Sequence, residues 1–214
     1  VFCLIFSTFS SLGISIIFTL INYFLIVVGV LIFHAVFTYS LLLTSLVKIN
    51  PIIFFTKMRE AIIFAFSTSS SSATMPVTLK TVEEKLGVDK SVSSFCIPLG
   101  TTINMDGTAI MQGVATVFIA QVYQVDLSMM EYLMVIITAT LASIGTAGVP
   151  GVGLIMLAMV LQQVGLPVEG IALIIGVDRL LDMLRTAVNV SGDATISCIV
   201  ANSENQLSRK DFIS

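Results

Sequence analysis

Residues Ile103-Asn104-Met105-Asp106-Gly107-Thr108 put a carboxylate and a glycine inside an apolar stretch of bilayer-spanning length. A charge there is expensive in lipid, and a glycine weakens the helix around it. Both costs are met if unwound backbone and the Asp106 side chain bind something. A second such place lies downstream, where Asp178, Asp182, Arg185, Asn189 and Asp193 share one apolar segment. Two broken or charged membrane segments argue for a transport site.

Composition supports lipid as the solvent. Of 214 residues, 56% are hydrophobic and 11% are charged, against about 25% charged in a soluble domain. A net charge of −3 decides little, and no basic patch suits nucleic acid. Cys3, Cys96 and Cys198 lie scattered in apolar sequence without paired spacing, so they read as buried thiols. The chain opens on apolar residues without a charged n-region, which reads as the C-terminal part of a longer protein.

Residues 1–12 read as the tail of a membrane helix, and 16–47 as one tilted span. Residues 1–48 therefore form a first region, 49–201 a core and 202–214 a polar tail. Lys48, Lys57, Arg59, Lys80, Lys85, Lys90, Arg209 and Lys210 fall in loops 48–60 and 80–90 and in the tail, whereas loops 122–131 and 162–169 hold no Lys or Arg. By the positive-inside rule the first set faces the cytoplasm and the second the outside. The segment between each pair of loops must therefore enter the membrane and return. Each carries its breakers mid-way: the serine run with Pro76, and the glycine-rich run with Pro150.

The expected fold is an all-α membrane protein. Its core is an inverted repeat with two re-entrant helical hairpins and discontinuous transmembrane helices. The core divides into a hairpin at 50–88, a broken helix at 89–125, a hairpin at 127–163 and a last helix at 166–201.

The breakers also carry chemistry. Ser69 to Ser72 beside Ala73-Thr74-Met75-Pro76 give hydroxyls and free N–H groups suited to a carboxylate. The plainer reading is small residues for close packing, with hydroxyls back-bonded to the preceding turn. Four glycines and a proline between Gly145 and Gly153 stop a helix and expose carbonyls suited to a hard cation such as Na⁺. Asp178, Asp182, Arg185, Asn189 and Asp193 are spaced by four, three, four and four, so they line one helix face. Arg185 offers a planar fork for a carboxylate and Asp182 a partner for an ammonium group. An internal ladder of ion pairs is the plain alternative. His34, alone in an apolar helix, reads as structural.

These motifs resemble the dicarboxylate/amino acid:cation symporter family, the glutamate transporter family. The resemblance rests on Ser69 to Pro76, Asn104 to Thr108, Ser143 to Gly151 and Asp182 to Asp193, in order and over nearly the whole chain. It implies an elevator-type secondary symporter in a multi-pass cell membrane, of bacterial inner-membrane style with a cytoplasmic C-terminus. It also implies a homotrimer built through scaffold helices mostly outside this chain. An acidic amino acid would be the substrate, Na⁺ the coupling ion, and no enzymatic activity is expected.

By the same resemblance, Arg185 and Thr108 would hold the substrate's side-chain carboxylate and Asp182 its amino group. Asn189, Ser71 and the backbone near Val149 would hold the main-chain carboxylate, with Ser70, Gly153 and Thr186 completing the site. One Na⁺ would use Gly100, Asn104, Asn189 and Asp193. A second would use Thr102, Ser143, Ile144 and Thr146, and a third Asp106 with Asn104.

The resemblance extends to specificity. Relatives for neutral amino acids lack the arginine at Arg185, and relatives for C4-dicarboxylates lack the acid at Asp182. Proton-coupled relatives often carry Asn at Asp193, so Asp193 favours Na⁺. Gln112 stands where animal glutamate transporters have a glutamate linked to proton and potassium coupling. A further family arginine is absent at Ser69 and Met183, with Arg179 a turn away as its substitute. A proton-coupled or dicarboxylate-preferring symporter is the nearest alternative. An intramembrane hydrolase lacks a placed base, and a passive channel would need no coupling of solute to ion.

Overall fold

Long apolar runs in lipid have no hydrogen-bond partners except their own backbone, so they fold as helices. A computed structural model describes residues 15–209, with side chains from residue 18 onward. The helix tail expected at 1–12, Cys3 and Lys210 lie outside the described residues.

Helix α1, Ser15–Phe33, continues through a π-helical turn at His34–Tyr39, one α-turn at Ser40–Leu42 and a second π-helical turn at Leu43–Val47. Lys48, in the left-handed region at φ 60°, ends it. By length and composition alone, Phe18–Val47 is the described helix able to cross a membrane.

Asn50 then caps α2, Pro51–Thr68: its side chain accepts a bond from Ile52 N, and Pro51 begins the helix without needing a donor. The serine run performs the turn itself. Ser69 adopts φ 52° and stops α2. Ser70 is extended and its Oγ accepts from Ala73 N at 3.1 Å, starting α3, Ser71–Glu84. Part of the plainer reading also holds, since Ser67 and Thr68 hydroxyls donate to the carbonyls of Ile63 and Phe64.

Asp89 caps α4, Lys90–Ile103, and after Asn104-Met105 the chain restarts as α5, Asp106–Val122. A capping box of Ser128 and Glu131 opens α6, Met129–Ile144. Gly151, at φ 82°, turns the chain into α7, Val152–Gln163. A 3₁₀ turn at Val168–Gly170 leads into α8, Ile171–Ser203.

The order hairpin then long helical element thus occurs twice: α2/α3 with α4–α5, and α6/α7 with α8. The second long helix is unbroken where the first is interrupted.

Two apolar clusters form around α8. One joins α1, α5, α6 and α7 through Val27, Met111, Ile119, Val135 and Leu157 to Ile174 and Leu181. The other packs α2 and α4 through Phe54, Met58, Ala61 and Ile97 against Val190, Ala194 and Cys198. Polar residues of α8 and of the break after α4 sit between them. Outward-facing Ile63, Phe95, Met129, Ile136 and Leu141 are exposed, which suits an apolar surrounding. Cys198 is buried as expected, whereas Cys96 packs against the same cluster but is only partly buried.

Candidate functional site

The two hairpin tips meet. The Gly148 carbonyl accepts from Ser70 Oγ at 2.7 Å and from Ser72 N at 3.1 Å. A Cβ on Gly148 would come within 2.9 Å of Ser72 Oγ and 3.0 Å of the Thr101 carbonyl, so only glycine fits this approach. Beneath the tips lies a cavity of about 20 Å³ whose wall includes Ser71, Thr108, Val149, Gly153, Asp182, Thr186 and Asn189. That is room for about one water. Seven of the residues expected to bind substrate therefore converge from both hairpins, α5 and α8. Ser70 lies beside them through its bond to Gly148.

Charge is arranged on α8. Asp182 Oδ1 accepts from Arg185 Nη2 at 2.8 Å, and Asp182 Oδ2 accepts from Gly151 N at 3.1 Å. The same Nη2 lies 3.0 Å from Asp178 Oδ1, an ionic contact without the alignment of a hydrogen bond. Arg185 is 1% exposed, and its Nε and Nη1 are unpartnered among the described residues. One nitrogen thus serves two carboxylates, while the rest of the fork is left for a further acceptor. The ion-pair ladder weighed from the sequence exists in this half of α8 and leaves those donors unused. Arg179 is more exposed and stands 4.0 Å from Asp182 Oδ2. A cleft of about 600 Å³ between α7 and α8 has Asp178, Arg179 and Asp182 in its wall.

A second polar group sits at the helix break. Asn104 Nδ2 donates to Asp193 Oδ1 at 2.8 Å and lies 3.5 Å from the Asn189 carbonyl. Asn189 Oδ1 accepts from Gly107 N at 2.7 Å. Gly100 abuts the Asp193 carboxylate so closely that a Cβ would collide with it. Gly100, Asn104, Asn189 and Asp193 are therefore neighbours.

Asp193 is 2% exposed and has a neutral amide as its hydrogen-bond partner. A buried carboxylate of this kind calls for a compensating cation. Carboxylate and carbonyl oxygens are the ligands that a hard cation takes, so these residues fit Na⁺.

Asp106, at the start of α5, receives the hydroxyl of Tyr39 and the ring of His34 on one oxygen. Of the remaining expected ligands, Ser143 and Thr146 are buried at the end of α6. Their hydroxyls donate to the carbonyls of Thr140 and Ala142, each at 2.8 Å. Ile144 and Thr102 have exposed side chains, and the Thr102 hydroxyl donates to Leu99 O at 2.7 Å. α4 touches α6 here, but among the described residues no hydrogen bond joins Thr102 to the other three.

Sequence reasoning missed two elements of this region. Gln112 Nε2 donates to Gly153 O at 3.3 Å and ties α5 to α7. His34 and Tyr39 reach Asp106 from a helix that carried no recognised motif.

Comparison with known proteins agrees with the motifs. The sequence profile of the sodium:dicarboxylate symporter family matches residues 1–203. Excitatory amino acid transporter 1 of Rattus norvegicus is 48% identical over 187 residues, covering 87% of this chain and 34% of the relative. Excitatory amino acid transporter 5 of Homo sapiens is 45% identical over 190 residues, covering 89% and 33%. An excitatory amino acid transporter of Caenorhabditis elegans is 47% identical over 178 residues, covering 83% and 35%. The chain thus spans about a third of the length of these relatives. With the profile matched over nearly all of its length, this chain belongs to the sodium:dicarboxylate symporter family.

Proposed function

We propose that the chain is the substrate-carrying part of a symporter that couples inward Na⁺ movement to uptake of aspartate or glutamate. The observation that carries this reading is Arg185, buried between Asp178 and Asp182 with unused donors beside the hairpin tips. A carboxylate reaching Arg185 finds a planar fork, and an ammonium group finds Asp182 one turn away. Thr108, Thr186, Gly153 and Asn189 line the small cavity with Asp182; Ser71 and Val149 come from the two tips, and Arg185 lies just behind that wall with Nη1 against Gly153. The names of the relatives support an acidic amino acid as substrate.

The closed cavity must widen to admit such a molecule, and the Gly148 and Gly151 contacts are the ones to yield. α8 takes part in both apolar clusters, which supports movement of hairpins and α8 as one body. This body would ride on scaffold helices of a trimer outside the chain. The re-entrant course of both hairpins belongs to this reading, with loops 48–60 and 80–90 on the cytoplasmic side. Na⁺ bound by Gly100, Asn104, Asn189 and Asp193 would supply the charge that the buried carboxylate lacks, and Asn189 joins that group to the cavity wall. Asp106 with Asn104, and Thr102 with Ser143, Ile144 and Thr146, would hold further ions.

The test uses the full-length protein in liposomes, with labelled aspartate and glutamate and an inward Na⁺ or proton gradient. Uptake that requires Na⁺ and is lost in Arg185→Ala is the expected result. Uptake driven by protons alone would remove the Na⁺ role from Asp193. Uptake of succinate without either amino acid would remove the ammonium role from Asp182.

A further inference from the structure

The π-helical turn after α1 begins at His34 and ends at Tyr39. These two residues reach across the fold to one atom, Asp106 Oδ2. Tyr39 Oη donates to it at 2.9 Å and His34 Nε2 lies 3.2 Å away. A carboxylate oxygen only accepts, so His34 Nε2 carries the proton of that bond when Asp106 is ionised. The imidazole and phenol rings meet edge to face, 4.8 Å between centroids, so each fixes the other. Tyr39 is 2% exposed, and its hydroxyl also lies 3.2 Å from the carbonyl of Val188, the residue before Asn189.

The spacing explains the unusual helix. Residues five apart on an α-helix point about 140° away from one another, so an α-helix could not bring both side chains to one carboxylate. The i→i+5 bonding of a π-helix widens the turn and places positions 34 and 39 on one side. π-Helical turns are rare and collect at functional places. The second turn, Leu43–Val47, makes no comparable convergence and lies at the helix end.

We propose that His34 and Tyr39 are positioning residues for the cation site at Asp106. The π-helical turn clamps Oδ2 so that Oδ1 is held in one direction for Na⁺. This rests on the Na⁺-coupled reading above. Neither residue need touch the ion. Both fix the ligand that does, as outer-sphere partners do in other metal sites. Tyr39 also stands beside the Asn104 amide, because a Cβ on Gly192 would lie 2.7 Å from both Tyr39 Oη and Asn104 Nδ2. The clamp therefore adjoins the Asp193 group as well.

The experiment measures thermal stability of the full-length protein against Na⁺ concentration without substrate. Na⁺ uptake assays on the same variants accompany it. Tyr39→Phe and His34→Ala should each raise the half-saturating Na⁺ concentration about tenfold, the lower end of outer-sphere effects on metal affinity. His34→Gln keeps an N–H at the same reach and should return the midpoint toward that of the unaltered protein. A uniformly lower melting temperature at an unchanged Na⁺ midpoint would overturn the proposal and leave both residues as packing. Absence of Na⁺ stabilisation and of Na⁺-driven uptake in the unaltered protein would instead overturn the coupled reading on which it rests.

Discussion

The two hairpins solve one turn in different chemistry. In α2/α3 the tip is built from side chains: Ser69 takes the left-handed conformation and Ser70 caps the next helix. In α6/α7 the tip is a glycine-rich loop, and Gly151 begins α7 with no side-chain cap. The first tip closes on its own bonds. The second turns on a few backbone bonds of its own, such as Val149 N to Ala147 O at 2.8 Å, and borrows the rest: Ser70 and Ser72 hold Gly148, and Asp182 holds Gly151.

Their bases differ too. α2 packs its face Phe54, Met58, Ala61 and Ala65 into the cluster around the end of α8. Beyond α3, Asp89 N donates to Gln206 O and Ser208 N to Gly87 O, while Arg209 donates to Val47 O. These bonds stitch the loop after α3 and the end of the first helix to the segment that follows α8. α7 meets α8 more lightly and leans on α5 and α6. If Asp182 takes the substrate's ammonium group as proposed, the hairpin whose tip borrows a bond from it is the one that a ligand can release.

The sharpest way to break this contrast is Gly148→Ala. Its Cβ would meet the Ser72 hydroxyl at 2.9 Å and the Thr101 backbone carbonyl at 3.0 Å, so the two tips would have to part to make room. Forced packing of this kind costs about 1–3 kcal/mol, so closure and uptake should fall on the order of tenfold or more. Uptake at the unaltered rate would show that the tips need not touch.

Ser70→Ala comes next, because it removes the cap of α3 and one bond to Gly148 together. Loss of the cap alone costs about 1 kcal/mol. A cysteine placed at Ala147 should then label faster, while one at Ser67 in the first hairpin should change little. Equal acceleration at both positions would mean that the two tips open together.

Much of this organisation was legible in the residues. Alternation of breakers with apolar runs marked the helix ends, since Ser69, Gly151 and the Asn104-Met105 break are where the chain turns. The four-residue spacing on α8 marked a buried polar face because a regular helix repeats at that period, and Asp178, Arg185, Asn189 and Asp193 are all buried. His34 and Tyr39 stayed hidden for the same reason. Five-residue spacing has no meaning on an α-helix, and nothing in an apolar run announces a π-helical turn. The binding of the tail was equally silent: Arg209 served as a charge marker, yet it donates to the Val47 carbonyl at the end of the first helix, where a cation is favoured.

The smallest expected effect compares the two hairpin bases. Lys85 Nζ donates to Glu60 Oε2 at 2.5 Å and joins α3 to α2. That bond, with the charge behind it, holds the Glu60 carboxyl below its ordinary 4.5. The Glu131 carboxyl is also held below 4.5, by the Ser128 hydroxyl and N–H of its own capping box. Both carboxylates have depressed folded values. Their contribution to stability is present above the unfolded value of 4.5 and is lost as pH falls through the lower folded value. Both groups are exposed, so the effect on melting is small. Salt should separate them. At roughly 1 M the screening length shrinks to about 3 Å, which weakens attraction to Lys85 more than bonds from neutral donors. Carboxyl titrations by NMR in nanodiscs should show the Glu60 midpoint rising toward 4.5 with salt while that of Glu131 stays in place. Equal movement would mean that the first hairpin's base is held by local bonds as the second is, and the contrast would then rest on the tips alone.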